Sequence, residues 1–179
     1  MKISKKILAL VLAAAICAVT VFSGVNTIDA QAATKKVTTS GKFKNAVPKK
    51  APTVKKGTTV VTLKKAAGFV KFKAPSTKSY KFTFSKLSGQ NGFTSSFTSF
   101  LEATEKGTLT FVPVKTYGGK NTALFLSSKK VSTQLTNAEK KDYFLTSRTA
   151  TVKLKKGQTV YIYTEATGGK KTTYTLKIK

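Results

Sequence analysis

The chain has 179 residues, a formal net charge of +27 and no histidine, with 33 basic residues against six acids. The lack of histidine excludes Ser-His-Asp triads and histidine metal sites, and it removes the commonest general base of enzymes. Lysines alternate with Phe, Tyr, Val, Ile and Leu, which is typical of a sheet with one solvated and one buried face. We therefore expect a folded basic protein and not a disordered one.

Residues 1–32 have the pattern of a secretory signal peptide. Three lysines precede an uncharged, mostly apolar run over 7–22, and Ala30-Gln31-Ala32 supplies the small residues that a signal peptidase reads. A permanent membrane anchor is the alternative, but no cluster of charges directly follows the apolar run. The pattern predicts cleavage after Ala32 or Ala33, and hence a secreted, extracellular protein without membrane attachment after cleavage.

Cleavage changes the composition. It removes three lysines and one aspartate, which leaves 30 cations, five acids and a net charge of +25. The only cysteine, Cys17, is lost as well, so no disulfide can form despite the oxidising destination. All cations that remain are lysines except Arg148. A chain of this length can bury one hydrophobic core without disulfides, so we expect one domain.

The first part of the mature chain is basic and poor in apolar residues. Residues 33–53 are interpreted as a basic linker or a loosely attached first strand, and residues 54–179 as the folded domain. Alternation predicts strands over 58–63, 68–74 and 78–85. The side chains expected to point inward from the last two strands are those of Val70, Phe72, Tyr80, Phe82 and Phe84.

The middle of the chain is less regular. Strands are expected over 93–101, 108–115 and 122–127, and Pro113 places the second of these toward a sheet edge because proline donates no backbone hydrogen bond. Thr136 and Glu139 have the spacing of a capping box, which predicts one helical turn that extends to Asp142.

The last thirty residues show the clearest pattern. Strands over 149–154, 159–164 and 172–178 are separated by glycine turns and are predicted to form an antiparallel meander. Eight or nine short strands without a βαβ rhythm indicate an all-β antiparallel sandwich. A short echo relates V-K-K-G-T-T-V at 54–60 to L-K-K-G-Q-T-V at 154–160, and we interpret it as one turn used twice to enter equivalent strands.

Two segments carry a resemblance to a known family. GFVKFKAPSTKSYKFTFS (68–85) resembles the F-x-F-x-A-P, turn, Y-x-F-x-F hairpin of bacterial pre-peptidase C-terminal domains. LKKGQTVYIYTEATGGKKTTYTLKIK (154–179) is similar to their closing meander. The resemblance implies a secreted, jelly-roll-like sandwich that serves in folding, localisation or matrix binding, here without a preceding peptidase. Some members of that family bind calcium through clustered acids, whereas the five mature acids of this chain are scattered.

Catalytic and metal chemistry lack suitable residues. The carboxylate pairs Glu102/Glu105 and Glu139/Asp142 are interpreted as solvent-exposed partners of lysines, because neither lies in a pattern that would enclose a sugar. No D-x-D spacing supports a calcium site. We therefore expect no enzymatic activity, no metal and no cofactor.

The lysine excess suggests the partner. A surface with lysines and almost no arginine attracts flexible polyanions diffusely, and arginine would be favoured for forked recognition of phosphates or bases. We expect an anionic cell-wall or surface polymer as the ligand, retention at the cell wall, and no physiological nucleic acid. The candidate contacts are Lys71, Lys73, Lys81, Lys153 and Lys177. The alternative is a structural or protein-interaction module whose lysines serve mainly solubility.

Tyr161 and Tyr163 form a second candidate contact. On their predicted strand they share one face, and Val160 and Ile162 share the other. Since only one of these faces can belong to the core, the tyrosines are expected either to lie under a loop or to offer rings for stacking.

Overall fold

The described residues of the computed structural model, 34–41, 43–116, 119–142, 145–168 and 171–179, contain 13 strands and two short helices. The strands form a seven-stranded and a six-stranded sheet that enclose one core, so the chain is the all-β sandwich that its sequence predicts. It differs from the prediction in having more than nine strands and in having two parallel strand pairs among the antiparallel ones. The predicted signal peptide and the centres of two predicted turns, at 117–118 and 169–170, lie outside the described residues.

Sheet A is the seven-stranded sheet. In spatial order it contains β1 (Lys35–Thr38), β3 (Gly57–Thr62), β13 (Thr173–Ile178), β5 (Lys78–Ser88), β11 (Ser147–Leu154), β8 (Val114–Thr116) and β9 (Gly119–Asn121). Sheet B contains β10 (Ala123–Ser127), β6 (Ser95–Ala103), β12 (Thr159–Ala166), β4 (Ala67–Lys73) and β2 (Thr53–Val54), with β7 (Leu109–Phe111) paired to β6. The helices are α1 (Lys129–Ser132) and α2 (Asn137–Asp142).

Most connections cross from one sheet to the other. Among the described strands, only β6 with β7 and β8 with β9 are chain neighbours that also pair. The predicted C-terminal meander is therefore wrong: β11 and β13 both pair with β5 in sheet A, while β12 lies in sheet B between β6 and β4. The hairpin implied by the resemblance is absent as well, since β4 and β5 belong to different sheets. Alternation specifies the two faces of a strand but not its partner.

The predicted inward side chains form the core. The five named for β4 and β5 are buried, as are Tyr174, Leu176 and Ile178 of β13. Edge-to-face aromatic contacts join the two sheets, with ring centroids 5.5 Å apart for Phe72 and Phe82 and 5.2 Å apart for Phe82 and Phe100. Such contacts add to the stabilisation that burial alone provides.

The segment before Val54 lies along both sheets. β1 pairs in parallel with β3 at one edge of sheet A, and β2 pairs in parallel with β4 at one edge of sheet B. Between them the side chain of Ala51 is buried. Gly68 permits this approach, because a Cβ atom built there would overlap the Thr39 side chain. Residues 34–41 and 43–53 thus cover part of sheet B and extend sheet A.

The irregular middle differs from its prediction in two places. The predicted strand over 108–115 is two strands, because Val112-Pro113 ends β7 in sheet B and the chain continues as β8 in sheet A. Helix α1, which was not predicted, begins after Ser128, whose Oγ accepts a hydrogen bond from the Val131 N–H.

The predicted capping box is confirmed. The Thr136 N–H and hydroxyl both donate to Glu139 Oε2 at 2.8 Å, and the Glu139 N–H donates to Thr136 Oγ1 at 3.3 Å. The hydrogen bonds from the Thr136 backbone and side chain lower the pKa of Glu139. Helix α2 begins at Asn137, directly after this cap.

Candidate functional site

The outer side of sheet A carries a row of lysines that crosses neighbouring strands. Lys81 lies opposite Thr151, Thr151 opposite Lys115, and Lys115 opposite Lys120. On the other side of β5, Lys81 and Lys179 exchange two backbone hydrogen bonds of 3.4 and 3.1 Å. Directly paired residues point to the same side of a sheet, so the row presents four lysines to solvent around one threonine.

Two further predicted lysines lie diagonally beside this row. Lys177 is opposite Thr83, and Lys153 is opposite Ser79, so each is two positions along the strand from the Lys81 row. Diagonal neighbours in an antiparallel pair lie about 7–8 Å apart. The structure therefore brings three of the five candidate lysines together on one surface: Lys81, Lys153 and Lys177.

Hydroxyl groups occupy most of the remaining positions on this side. Thr83 and Thr149 are paired across β5 and β11, and their hydroxyl oxygens are 3.0 Å apart. The other Ser and Thr residues at these positions are Thr38, Thr58, Thr62, Ser79, Ser85, Ser88, Ser147, Thr151, Thr173 and Thr175. We name the outer side of sheet A, from Lys36 of β1 to Lys120 of β9, the lysine–hydroxyl face.

No acidic side chain of its own strands offsets the lysines of sheet A. None of the seven strands of sheet A contains an aspartate or glutamate. The single arginine, Arg148, lies on β11 but is only 7 % exposed on the core side, where desolvation lowers its pKa. The charge that the face presents therefore comes from lysine alone.

The other two predicted lysines lie on the opposite side of the sandwich. Lys71 and Lys73 project from the outer side of sheet B, where Lys71 is half-buried beside Thr53 and Tyr161 and Lys73 is exposed opposite Thr159. The structure therefore does not bring all five candidates together. Lys115, Lys120 and Lys179 of the row were not singled out from the sequence.

A different signal could have identified one of the missed lysines. Lys179 continues the alternation of Thr175 and Lys177 on the last strand, so periodicity alone assigns it to the same side. Lys115 and Lys120 follow the break at Pro113, and their place in sheet A depends on pairing between distant parts of the chain. Such pairing is not encoded in local alternation.

Tyr161 and Tyr163 lie on the outer side of sheet B, while Val160 and Ile162 point into the core. The two pairs thus occupy opposite faces as predicted, and the structure shows which face is the core. Tyr163 is 7 % exposed, and its ring centroid is 4.8 Å from that of Phe69 and 5.3 Å from that of Phe43. Its neighbours in this second apolar cluster are Ala51, Phe69, Leu101 and Leu109, with Val47, Ala67, Phe97 and Tyr161 at the margin. We name this outer side of sheet B the aromatic face.

The aromatic face is mostly covered, but its margin is open. The exposed fractions of Phe43, Phe111 and Phe125 are 42, 50 and 36 %. The Tyr163 hydroxyl donates to Glu165 Oε2 at 3.3 Å. Desolvation, and then the nearby Glu165 carboxylate, raises the pKa of Tyr163 to about 12. Tyr163 therefore contributes mainly to packing, and only a small part of its ring is accessible to a ligand.

Among the described residues, no three His, Cys, Asp or Glu side chains are grouped closely enough to hold a metal ion. No helix in the described part of the chain is both long and apolar enough to cross a membrane.

Comparison with known proteins adds no relative. No protein-family model and no curated protein matches the chain. The resemblance to pre-peptidase C-terminal domains stays a prediction.

Proposed function

We propose that the protein is a secreted, non-catalytic module that binds anionic cell-surface or wall polymers through the lysine–hydroxyl face. The observation that carries this proposal is the row Lys179, Lys81, Thr151, Lys115 and Lys120 on a sheet without a single acid. The choice of an anionic polymer as the ligand follows from the charge of this surface.

The physical basis is attraction between repeated charges. Neighbouring strands lie about 4.8 Å apart, so the row sets ammonium groups at repeated short intervals across the sheet. Lysine is a flexible point charge, which suits a ligand whose anionic groups have no fixed geometry. When binding releases condensed counterions, the logarithm of the affinity falls linearly with the logarithm of the salt concentration. Hydroxyl groups between the lysines can donate hydrogen bonds to phosphate or carboxylate oxygens.

Retention on immobilised poly(glycerol phosphate) across a salt gradient tests the proposal, with neutral dextran as the control matrix. The triple variant Lys81→Gln/Lys115→Gln/Lys120→Gln removes three charges from the face. The matched triple Lys44→Gln/Lys49→Gln/Lys106→Gln removes the same charge from exposed positions outside sheet A. We expect the first triple to elute at clearly lower salt than the second. Equal elution of the two triples would show that only net charge matters and would overturn the proposal.

Secretion is part of the same proposal and has its own test. The mature protein is expected to begin at Ala33 or Thr34, since Ala30 and Ala32 supply the small residues before these positions. The intact mass of the protein from a culture supernatant checks this. A soluble extracellular species that retains residues 1–32 would contradict it.

The second candidate function is a protein-interaction module whose lysines serve mainly solubility. The open margin of the aromatic face, with Phe43, Phe111 and Phe125, favours it. On this view the two triple variants are retained equally on the polymer, and both stay soluble near neutral pH because each keeps most of its positive charge. Lower retention of the sheet A triple, with solubility unchanged, favours polymer binding instead.

A further inference from the structure

Residues from both Lys-Lys-Gly turns of the sequence echo line one cleft. It has a volume of about 750 Å³ and lies where β2 turns into β3 and β11 turns into β12. Its walls come from 53–56, from the end of β4 at 72–75, and from Lys156-Gly157. The expectation that the turns enter equivalent strands is wrong, because β3 belongs to sheet A and β12 to sheet B. What the two turns share is the cleft.

Backbone hydrogen bonds fix the walls. The Gly157 N–H donates to the Ala74 carbonyl at 2.8 Å, and the Ala74 N–H donates to the Gln158 carbonyl at 2.9 Å. The Lys156 N–H donates to Thr77 Oγ1 at 2.9 Å. Gly57 and Gly157 have φ of +103° and +82°, a conformation that other residues adopt only with strain. The frame is thus formed before any ligand binds.

The chemistry of the lining favours a multiply charged anion. Lys55, Lys56, Lys73 and Lys156 line the cleft, and none of its lining residues is acidic. Its lining also includes the buried apolar residues Val54, Phe72 and Ala74. A concave surface with charges of one sign over an apolar wall concentrates the electrostatic potential and attracts counterions more strongly than a flat surface does. Lysine binds phosphate groups as a point charge, without the forked geometry of arginine.

We propose that this cleft is a discrete binding site for a compact, phosphate-rich anion such as a short oligophosphate chain. The site is separate from the lysine–hydroxyl face: of its four lysines none lies in the Lys81 row. It binds one anion per chain through the lysines that line it, whereas the sheet binds a polymer diffusely. Lys73, which the sequence assigned to the polymer surface, belongs to this cleft.

Calorimetric titration with inorganic tripolyphosphate at physiological salt tests the site. We expect saturable binding at one site per chain. The variant Lys56→Gln/Lys156→Gln should weaken the affinity by about tenfold, as expected when two partly screened charge contacts are lost. The variant Lys81→Gln/Lys115→Gln removes the same charge from the sheet and should weaken it by less than about threefold. Thermal unfolding of each variant verifies that it is folded, and Lys73→Gln is a milder third variant of the cleft.

The outcomes separate this proposal from polymer binding. Several equivalent sites per chain, or equal weakening by the two charge-matched variants, would overturn the cleft and leave the polymer proposal standing. In the other outcome, Lys56→Gln/Lys156→Gln weakens tripolyphosphate binding but leaves retention on the polymer unchanged, and only the substitutions in sheet A lower that retention. That result supports two separate anion sites.

Discussion

The outer sides of the two sheets differ although their strands show the same alternation. Lys71 in F-V-K-F-K and Lys81 in Y-K-F-T-F have nearly the same sequence surroundings. In the structure Lys81 is exposed beside Thr151 and Lys179, whereas Lys71 is half-buried beside Tyr161. The difference arises from the partner strands, which carry hydroxyl groups in sheet A and aromatic rings in sheet B.

This contrast separates stability from binding. The aromatic face is a second apolar layer, closed by residues 43–51 and β7, and its burial contributes to folding. The lysine–hydroxyl face buries little apolar surface apart from the half-buried Val60, so its side chains remain available to solvent and ligands. We therefore expect substitutions on the aromatic face to affect the free energy of unfolding and substitutions on the lysine–hydroxyl face to affect binding.

The largest expected effect comes from Phe69 on the aromatic face. Its side chain is fully buried and contacts the rings of Tyr163 and Phe43, so Phe69→Ala should cost about 3–5 kcal/mol. The control Lys81→Ala on the opposite side should change stability by no more than about 0.5 kcal/mol. Denaturant midpoints measure both. If the two costs were similar, the two outer sides would not differ in their contribution to folding.

Local alternation was sufficient to predict much of this fold. Four strands, β4, β5, β11 and β13, bury every second side chain, as the alternation in their sequence predicts. The reason is that successive side chains of a strand point to opposite faces. The partners of these strands were not predictable in the same way. The four-residue turn between β4 and β5 crosses between sheets, and nothing in A-P-S-T distinguishes such a crossing from a hairpin.

The candidate site was predictable only in part, for the same reason. Lys81, Lys153 and Lys177 could be identified as outward residues, but their proximity depends on β5 lying between β11 and β13. Lys71 and Lys73 satisfied the same sequence criterion and lie on the other sheet. The two Lys-Lys-Gly turns were visible as an echo, yet their common cleft follows only from the sheet-to-sheet connections at one end of the sandwich.

An intermediate effect is expected where the first segment covers sheet B. A Cβ atom at Gly68 would overlap the side chain of Thr39, the residue that follows β1. Gly68→Ala must therefore push Thr39 and β4 apart. Overpacking of this kind costs about 1–3 kcal/mol. Hydrogen exchange at the Ser40 amide, which donates to the Phe69 carbonyl at 3.2 Å, should accelerate. Unchanged exchange there would mean that the segment is held elsewhere. Gly107→Ala is not a suitable control because its φ is +74°.

A smaller, pH-dependent effect distinguishes the faces again. Burial raises the pKa of Tyr163 to about 12, above the ordinary value of 10.0, so folding favours the neutral phenol. The stability that this preference contributes is complete below about pH 10 and is lost as the pH rises through about 12. Tyr163→Phe should therefore flatten the decline of the unfolding midpoint in this window. Thr83→Val, on the other side, should leave the shape of that decline unchanged.

The smallest effect is expected on the lysine–hydroxyl face itself. The hydroxyl oxygens of Thr83 and Thr149 are 3.0 Å apart but exposed, so water can replace either partner when one is removed. Thr83→Val and Thr149→Val retain the branched shape, and each should change stability by less than about 1 kcal/mol. A double-mutant cycle should give a coupling energy of about 0.5 kcal/mol or less. A coupling of several times that size would show that the hydroxyl groups of sheet A hold the strands together, and that this face contributes to the fold as the aromatic face does.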